Sequence, residues 1–267
     1  MTLHELLQQN IPNPPKYESG IKFLDDALDG GFEMGQLVTI TGDAEAGKTM
    51  LLNQILGGVA QGHKCLYFSL EFNKRQLQKN FAQRVKQGSV KLEATKNIET
   101  VTTDMTDGEL FAITEQIRKS VADGVKFIGI DSSMMVYINE KSGETEITEI
   151  FRILQKITVE NDVLLFIITQ GSKEDNKEGN INIFGSQKAK HFANMMLHLT
   201  FDREEDKRHL IIAKNKQNGR YLKQRIYFNP KLLAFTPYEV EIEDIEDAPQ
   251  ESKGSRGKKK DLFRDIL

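Results

Sequence analysis

The chain has one cysteine, six prolines and a net charge of only -3 over 267 residues. One cysteine excludes a disulfide framework within the chain. Cys65 lies in the apolar run Cys65-Leu66-Tyr67-Phe68, where a buried, reduced thiol is expected. The small net charge excludes a polycation, so any nucleic-acid binding must come from a local surface or an oligomeric ring. No run approaches a membrane span in length, and the N-terminus has no basic-then-apolar leader. No membrane association is expected, and the expected location is cytoplasmic. Proline is scarce but concentrated, and Pro12-Asn13-Pro14-Pro15 stops regular structure.

Apolar patterning divides the rest. Residues 1–19 read as an arm or linker. Ile21, Leu24 and Leu28 recur at helical spacing, and Gly30-Gly31 ends that element. Strands are predicted at 37–41, 64–69, 125–130 and 163–169, alternating with helices at 48–60, 73–86, 108–122 and 146–160. Each strand is a nearly continuous apolar run, as expected when helices cover both sheet faces. A weaker pattern at 90–103 allows one more strand. A short helix near 187–194 and strands at 195–200, 208–214, 221–228 and 232–236 suggest an antiparallel extension. The predicted class is α/β: a mostly parallel twisted sheet, helices on both faces, and an antiparallel C-terminal extension. One domain is expected over 20–237, followed by a charged, disordered tail over 238–267. Within it, Leu262, Phe263, Ile266 and Leu267 would share one side of a short helix, docking through 261–267 on a partner or on the chain's own body, or simply fraying.

The segment Gly42-Asp43-Ala44-Glu45-Ala46-Gly47-Lys48-Thr49 reads G-x-x-x-x-G-K-T, the Walker A phosphate loop. It sits between an apolar strand and the helix opening with Met50, the context the motif requires. Backbone N–H groups of such a loop surround phosphate oxygens. Lys48 can reach the β and γ phosphates, and the Thr49 hydroxyl can hold Mg²⁺. ATP and Mg²⁺ are therefore the expected ligands. Asp43 and Glu45 are unusual beside a polyphosphate; they can point outward, or Glu45 can face a neighbouring subunit.

Hydrolysis needs further groups at neighbouring strand tips. Phe127-Ile128-Gly129-Ile130 ends in Asp131, a Walker B candidate for Mg²⁺ or, alternatively, a plain cap. Leu66-Tyr67-Phe68-Ser69-Leu70 ends in Glu71, which can take the proton of the attacking water or, alternatively, favour the next helix's N-terminus. Leu164-Leu165-Phe166-Ile167-Ile168-Thr169 ends in Gln170, a sensor of the γ phosphate or a plain surface amide.

With these residues placed, the chain over about 17–236 resembles the RecA-like ATPase core, most of all DnaB-type helicase motors and the RadA/Sms ATPase domain. Phe68-Ser69-Leu70-Glu71, Ile130-Asp131 and Thr169-Gln170 resemble the catalytic glutamate, Walker B and switch glutamine of that family. Ala213-Lys214-Asn215-Lys216-Gln217-Asn218-Gly219 resembles the hairpin that reaches the next subunit's nucleotide. The resemblance implies that Lys214 and Lys216 act in trans within a ring, a hexamer by analogy. Lys216 stands where relatives place arginine, and a lysine lacks the rigid fork. A solvated turn lysine is the alternative, with Arg220 a spare candidate.

The resemblance implies a motor on single-stranded DNA, of replicative helicase or translocase type. One alternative is a RadA/Sms-like recombination or repair ATPase without unwinding. Another is an NTP-driven regulator without a DNA role, similar to the circadian-clock members of the wider RecA-like group. The loops at 134–146 and 171–186, which line the channel in the resembling families, are not strongly basic and lack aromatic interleaving. The helix at 73–86 carries Lys74, Arg75, Lys79, Arg84 and Lys86, a candidate DNA-contacting surface or simply a solvated face, with Leu77, Phe81 and Val85 as its buried stripe.

Overall fold

A computed structural model of the chain describes residues 1–139, 141–171, 183, 186 and 188–238. Its centre is β3 (Leu37–Gly42), flanked by parallel partners β7 (Leu164–Ile168) and β8 (Met195–Asp202). The sheet continues through β6 (Phe127–Asp131) and β4 (Cys65–Ser69) to the edge strand β5 (Ile98–Thr102), all parallel. Beyond β8 it turns antiparallel with β9 (Lys207–Asn215), β10 (Leu222–Asn229) and β11 (Ala234–Pro237). The order is β11-β10-β9-β8-β3-β7-β6-β4-β5. This is the α/β class predicted, including the antiparallel extension.

The continuous apolar strands are explained by two cores. Side chains alternate across a strand. Phe127 and Phe166 therefore point to one core, with Leu51, Leu52, Ile55 and Leu56 of α3 (Lys48–Val59). Ile128, Leu165 and Ile167 point to the other, with Ile113 and Ile117 of α5 (Leu110–Ala122) and Phe151, Leu154 and Ile157 of α6 (Gly143–Asn161). The helix α4 (Lys74–Lys86) joins the α3 side through buried Leu77 and partly buried Phe81 and Val85. Cys65 is buried, and burial pushes its thiol up to about 12, so it is an inert core group.

The N-terminal segment contains more structure than its prolines suggested. Thr2 and Glu5 form a reciprocal cap on α1 (Leu3–Leu7), which buries none of its residues. β1 (Lys16–Tyr17) pairs antiparallel with β2 (Phe32–Glu33), bracketing α2 (Lys22–Ala27). A last short helix, α7 (Ala189–Phe192), precedes β8. Met1–Pro237 forms one compact unit. The expectations for the tail over 239–267 and for most of the loop at 171–186 lie outside the described residues.

Candidate nucleotide site

Four parallel strand tips meet because the chain crosses over between β3 and β4, leaving β7 and β6 between them. Ligands bind at such switch points, outside the carboxyl ends of the strands. The loop from Gly42 to Gly47 opens directly from β3, and Gly47 caps α3 with φ 99. Both glycines are sterically required. A Cβ on Gly42 would stand 2.1 Å from the Leu199 carbonyl oxygen, and one on Gly47 2.7 Å from the Phe235 ring. Backbone thus runs bare where phosphate oxygens would approach.

The loop's two acids turn away from its amides. Asp43 Oδ2 accepts the Phe201 amide at 2.9 Å, and Glu45 pairs with Arg203 at 3.1 Å. Glu45 has positive φ (63) and is exposed with Ala44, whereas Ala46 is buried. Lys48 donates from Nζ to the carbonyl oxygens of Gly42 (3.1 Å) and Asp43 (2.8 Å), inside the loop it closes. Partial burial pushes its ammonium below the usual range, opposed by the charges of Asp43, Glu71 and Asp131.

Asp131 is nearly fully buried at the tip of β6. Burial pushes its carboxyl up to about 6, helped by the nearby Glu71 charge and opposed by Thr49, Tyr67 and Lys48. Tyr67 donates its hydroxyl to Asp131 Oδ2 at 3.2 Å, while Oδ1 is buried with no hydrogen-bond partner. A buried, unpartnered carboxylate oxygen beside the Thr49 hydroxyl fits a cation. Among the described residues no group of three or more His, Cys, Asp or Glu side chains could form a protein-only cage.

Glu71 is exposed one residue past Leu70, whose amide donates to the Asp131 carbonyl at 2.7 Å. The Ser132 hydroxyl donates to Glu71 Oε1. Gln170 is exposed just past β7, where Thr169 N donates to the Ile40 carbonyl at 3.0 Å. A Cβ on the next residue, Gly171, would lie 3.8 Å from Gly42 N and from His198 Cε1. Lys48, Thr49, Glu71, Asp131 and Gln170 therefore share one crevice.

Lys214 and Lys216 do not join it. The Lys216 amide donates to the Asn194 carbonyl, and the Asn194 amide donates to the carbonyl of Leu37 at the start of β3. Five residues of strand, about 17 Å, separate that level from Gly42. Lys214 Nζ rests on the Lys190 carbonyl at 2.6 Å, and Lys216 is exposed. Their turn is held rigidly. Gln217 donates to the carbonyls of Leu28 and Gly31 (both 2.9 Å), Asn218 donates to Ala27 (3.1 Å), and Arg220 pairs with Asp29 at 2.6 Å.

Three groups escaped the sequence reading. His198 is buried and contacts Thr41 Oγ1 through Nδ1 at 2.8 Å, with burial lowering its pKa. Tyr67 looked like a core aromatic but carries the hydroxyl on Asp131. Arg84 corrects an expectation, since it is fully buried instead of solvated. It donates to Asn80 Oδ1 (3.0 Å) and the Met50 carbonyl (3.1 Å), and its Nη1 has no hydrogen-bond partner. Seven residues are nearly two helical turns, so Arg84 falls on the line of Leu77. That spacing was visible and could have flagged it.

The family model described as "ATPase: KaiC" matches residues 17–228, most of the chain. Curated relatives match over shorter segments. The DNA repair protein RadA of Aquifex aeolicus is 44% identical over 59 residues, 22% of this chain and 13% of that protein. The circadian clock protein KaiC3 of Synechocystis is 33% identical over 82 residues, 28% of this chain and 16% of that protein. The chain thus spans a small part of these relatives. Among solved structures, a DnaB-like replicative helicase superposes with TM-score 0.71 at 19% identity, covering 89% of this chain and 67% of that one. The KaiC-like protein PH0186 of Pyrococcus horikoshii OT3 does so at 0.66 and 22%, covering 85% and 100%. At these identities the likeness establishes the fold. The family match and the superpositions bear out the RecA-like P-loop ATPase core expected from the sequence. This chain, with its RecA-like P-loop core, is a member of the KaiC ATPase family.

Proposed function

We propose that the chain hydrolyses ATP in a ring of its own copies and couples turnover to single-stranded DNA without unwinding duplexes. This is the recombination or repair reading, and RadA among the relatives supports it over a replicative helicase. The observation that carries the catalytic part is the crevice where unpartnered Asp131 Oδ1 and the Ser132-held Glu71 face the loop of Lys48. Thr49 and Asp131 would hold Mg²⁺, whose charge would offset that of the phosphates, and residues Gly42 to Met50 seat the triphosphate. Glu71 takes the proton of the attacking water as its oxygen bonds to the γ phosphorus. The bond to the β-bridging oxygen breaks, and Lys48 stabilises the charge that leaves with ADP. Gln170, at the head of its loop, senses the γ phosphate.

Lys214 and Lys216, at the opposite end of the sheet from the chain's own loop, serve a neighbour's triphosphate. A head-to-tail contact brings those two ends together and closes into a ring. Its six-fold form follows only from the helicase resemblance. A DNA-independent regulator is the second reading, favoured by the KaiC family match.

The test is ATP turnover with and without single-stranded DNA across protein concentration, alongside a strand-displacement assay. Turnover should rise with concentration and with DNA, and no duplex should separate. Turnover indifferent to DNA at every concentration moves the assignment to the regulator, and duplex separation moves it to the helicase.

A further inference from the structure

Strand β10 has two unlike faces. Leu222, Ile226 and Phe228 pack on the core. The alternate residues Lys223, Arg225 and Tyr227 stand on the other face, and Tyr221 immediately precedes the strand. Tyr221, just before the strand, is 67% exposed and Tyr227, within it, 50%. The neighbouring strand adds to this face. Lys223 lies opposite Ile211, and Arg225 opposite His209, which in turn lies opposite Thr200 of β8. Lys207 follows at the next step, paired with Glu205 at 2.5 Å. Partial burial holds the His209 ring below its usual pKa, and Lys223, Arg225 and Lys207 push it in the same direction. The cationic groups therefore converge on one surface, with exposed Tyr227 on the strand and exposed Tyr221 just before it.

We propose that this face of β9 and β10 is a platform for single-stranded DNA, with Tyr221 and Tyr227 stacking bases while Lys223, Arg225 and His209 meet phosphates. Exposed aromatics interleaved with cations on an open sheet suit unpaired bases, whose faces are available for stacking. A duplex hides those faces, so it can use only the charges. The platform also leads to the ATPase. On β8 the same face carries Thr200 and then His198, which contacts Thr41 just before the phosphate loop. His198 also lies against Gly171, next to Gln170. A strand bound here sits beside the groups that change when the γ phosphate leaves. The inference rests on the DNA-linked reading above and adds where the DNA lies.

The test is fluorescence anisotropy of a labelled oligothymidylate on the full chain, titrated at several salt concentrations. The double variant Tyr221→Ala/Tyr227→Ala should lose on the order of tenfold in affinity per ring, whereas Tyr221→Phe/Tyr227→Phe should stay near the parent. Lys223→Gln/Arg225→Gln should flatten the slope of log affinity against log salt by about 1.4. Tyr221, Lys223 and Tyr227 are exposed and Arg225 partly so, and an unchanged melting temperature checks the fold. If the parent binds and the alanine pair binds equally well, the platform is wrong and the DNA-linked reading stands. If the parent does not bind at any salt concentration, both fail.

Discussion

Asp131 is an acid held where its charge is poorly solvated. Its carboxyl titrates near 6 in the fold against 3.8 unfolded, mainly through burial. Below pH 3.8 it is neutral in both states and has no effect on stability. As pH rises towards 6 the unfolded chain ionises first, so folding loses on the order of 3 kcal/mol, and the loss persists above 6. Asp131→Asn should therefore raise the melting temperature of the nucleotide-free protein at about pH 7.5, with the gain fading near pH 4. The same change should abolish turnover. A lower melting temperature at the higher pH would contradict this reading of the site. Glu71 makes a different prediction. Glu71→Gln should lower kcat about 100-fold or more while nucleotide affinity by titration stays near the parent value. Lys48 and Thr49 were legible from the phosphate-loop motif, and Glu71, Asp131 and Gln170 because each closes a recognisable apolar run. Tyr67 and His198 were not singled out, because their polar ends meet Asp131 and Thr41, distant in sequence, and only topology brings those together; the burial of Arg84 was legible from its spacing to Leu77.

Among the elements, those long enough to show a period were legible, and those of two residues were not. β1 and β2 carry no alternation of their own, and their pairing depends on the turn of α2 between them. Their neighbourhood also explains a glycine in α3. A Cβ on Gly58 would lie 2.1 Å from the Ser19 carbonyl oxygen. Ser19 is itself fixed, since its amide and hydroxyl both donate to Asp25 Oδ1 at 2.8 and 2.7 Å. Backbone held this firmly cannot retreat. Gly58→Ala should destabilise by about 1–3 kcal/mol, a fall of several degrees in melting temperature. Gly62→Ala, with nothing within 4 Å, is the control and should melt with the parent. Equal melting of both variants would show that the N-terminal segment does not press on α3 as described.

At the scale of the whole molecule, the proposed function assigns the two ends of the sheet complementary halves of one reaction. The strand tips hold the triphosphate seat, and the far end presents Lys214 and Lys216. Partial burial, with Lys216 and Lys190 nearby, pushes Lys214 down to about 8. Its charge is present below that pH and is lost as pH rises through it. Turnover should therefore fall on an alkaline limb near pH 8, and Lys214→Arg should move the limb upward, because a guanidinium stays charged. An unmoved limb would remove Lys214 from the reaction. No sequence pattern alone could show that these lysines face away from their own loop; the register of β9 on β8 does.

The central claim, that the site is completed by a neighbouring copy, is tested most directly by mixing two inactive variants. Glu71→Gln spoils the water-activating half of a protomer and leaves its lysine end intact. Lys216→Ala does the reverse. In a random head-to-tail ring of both, about a quarter of the contacts join two intact halves. The mixture should regain ATP turnover that neither variant shows alone. A mixture as inactive as its parents, or a Lys216→Ala protein fully active by itself, would contradict the account.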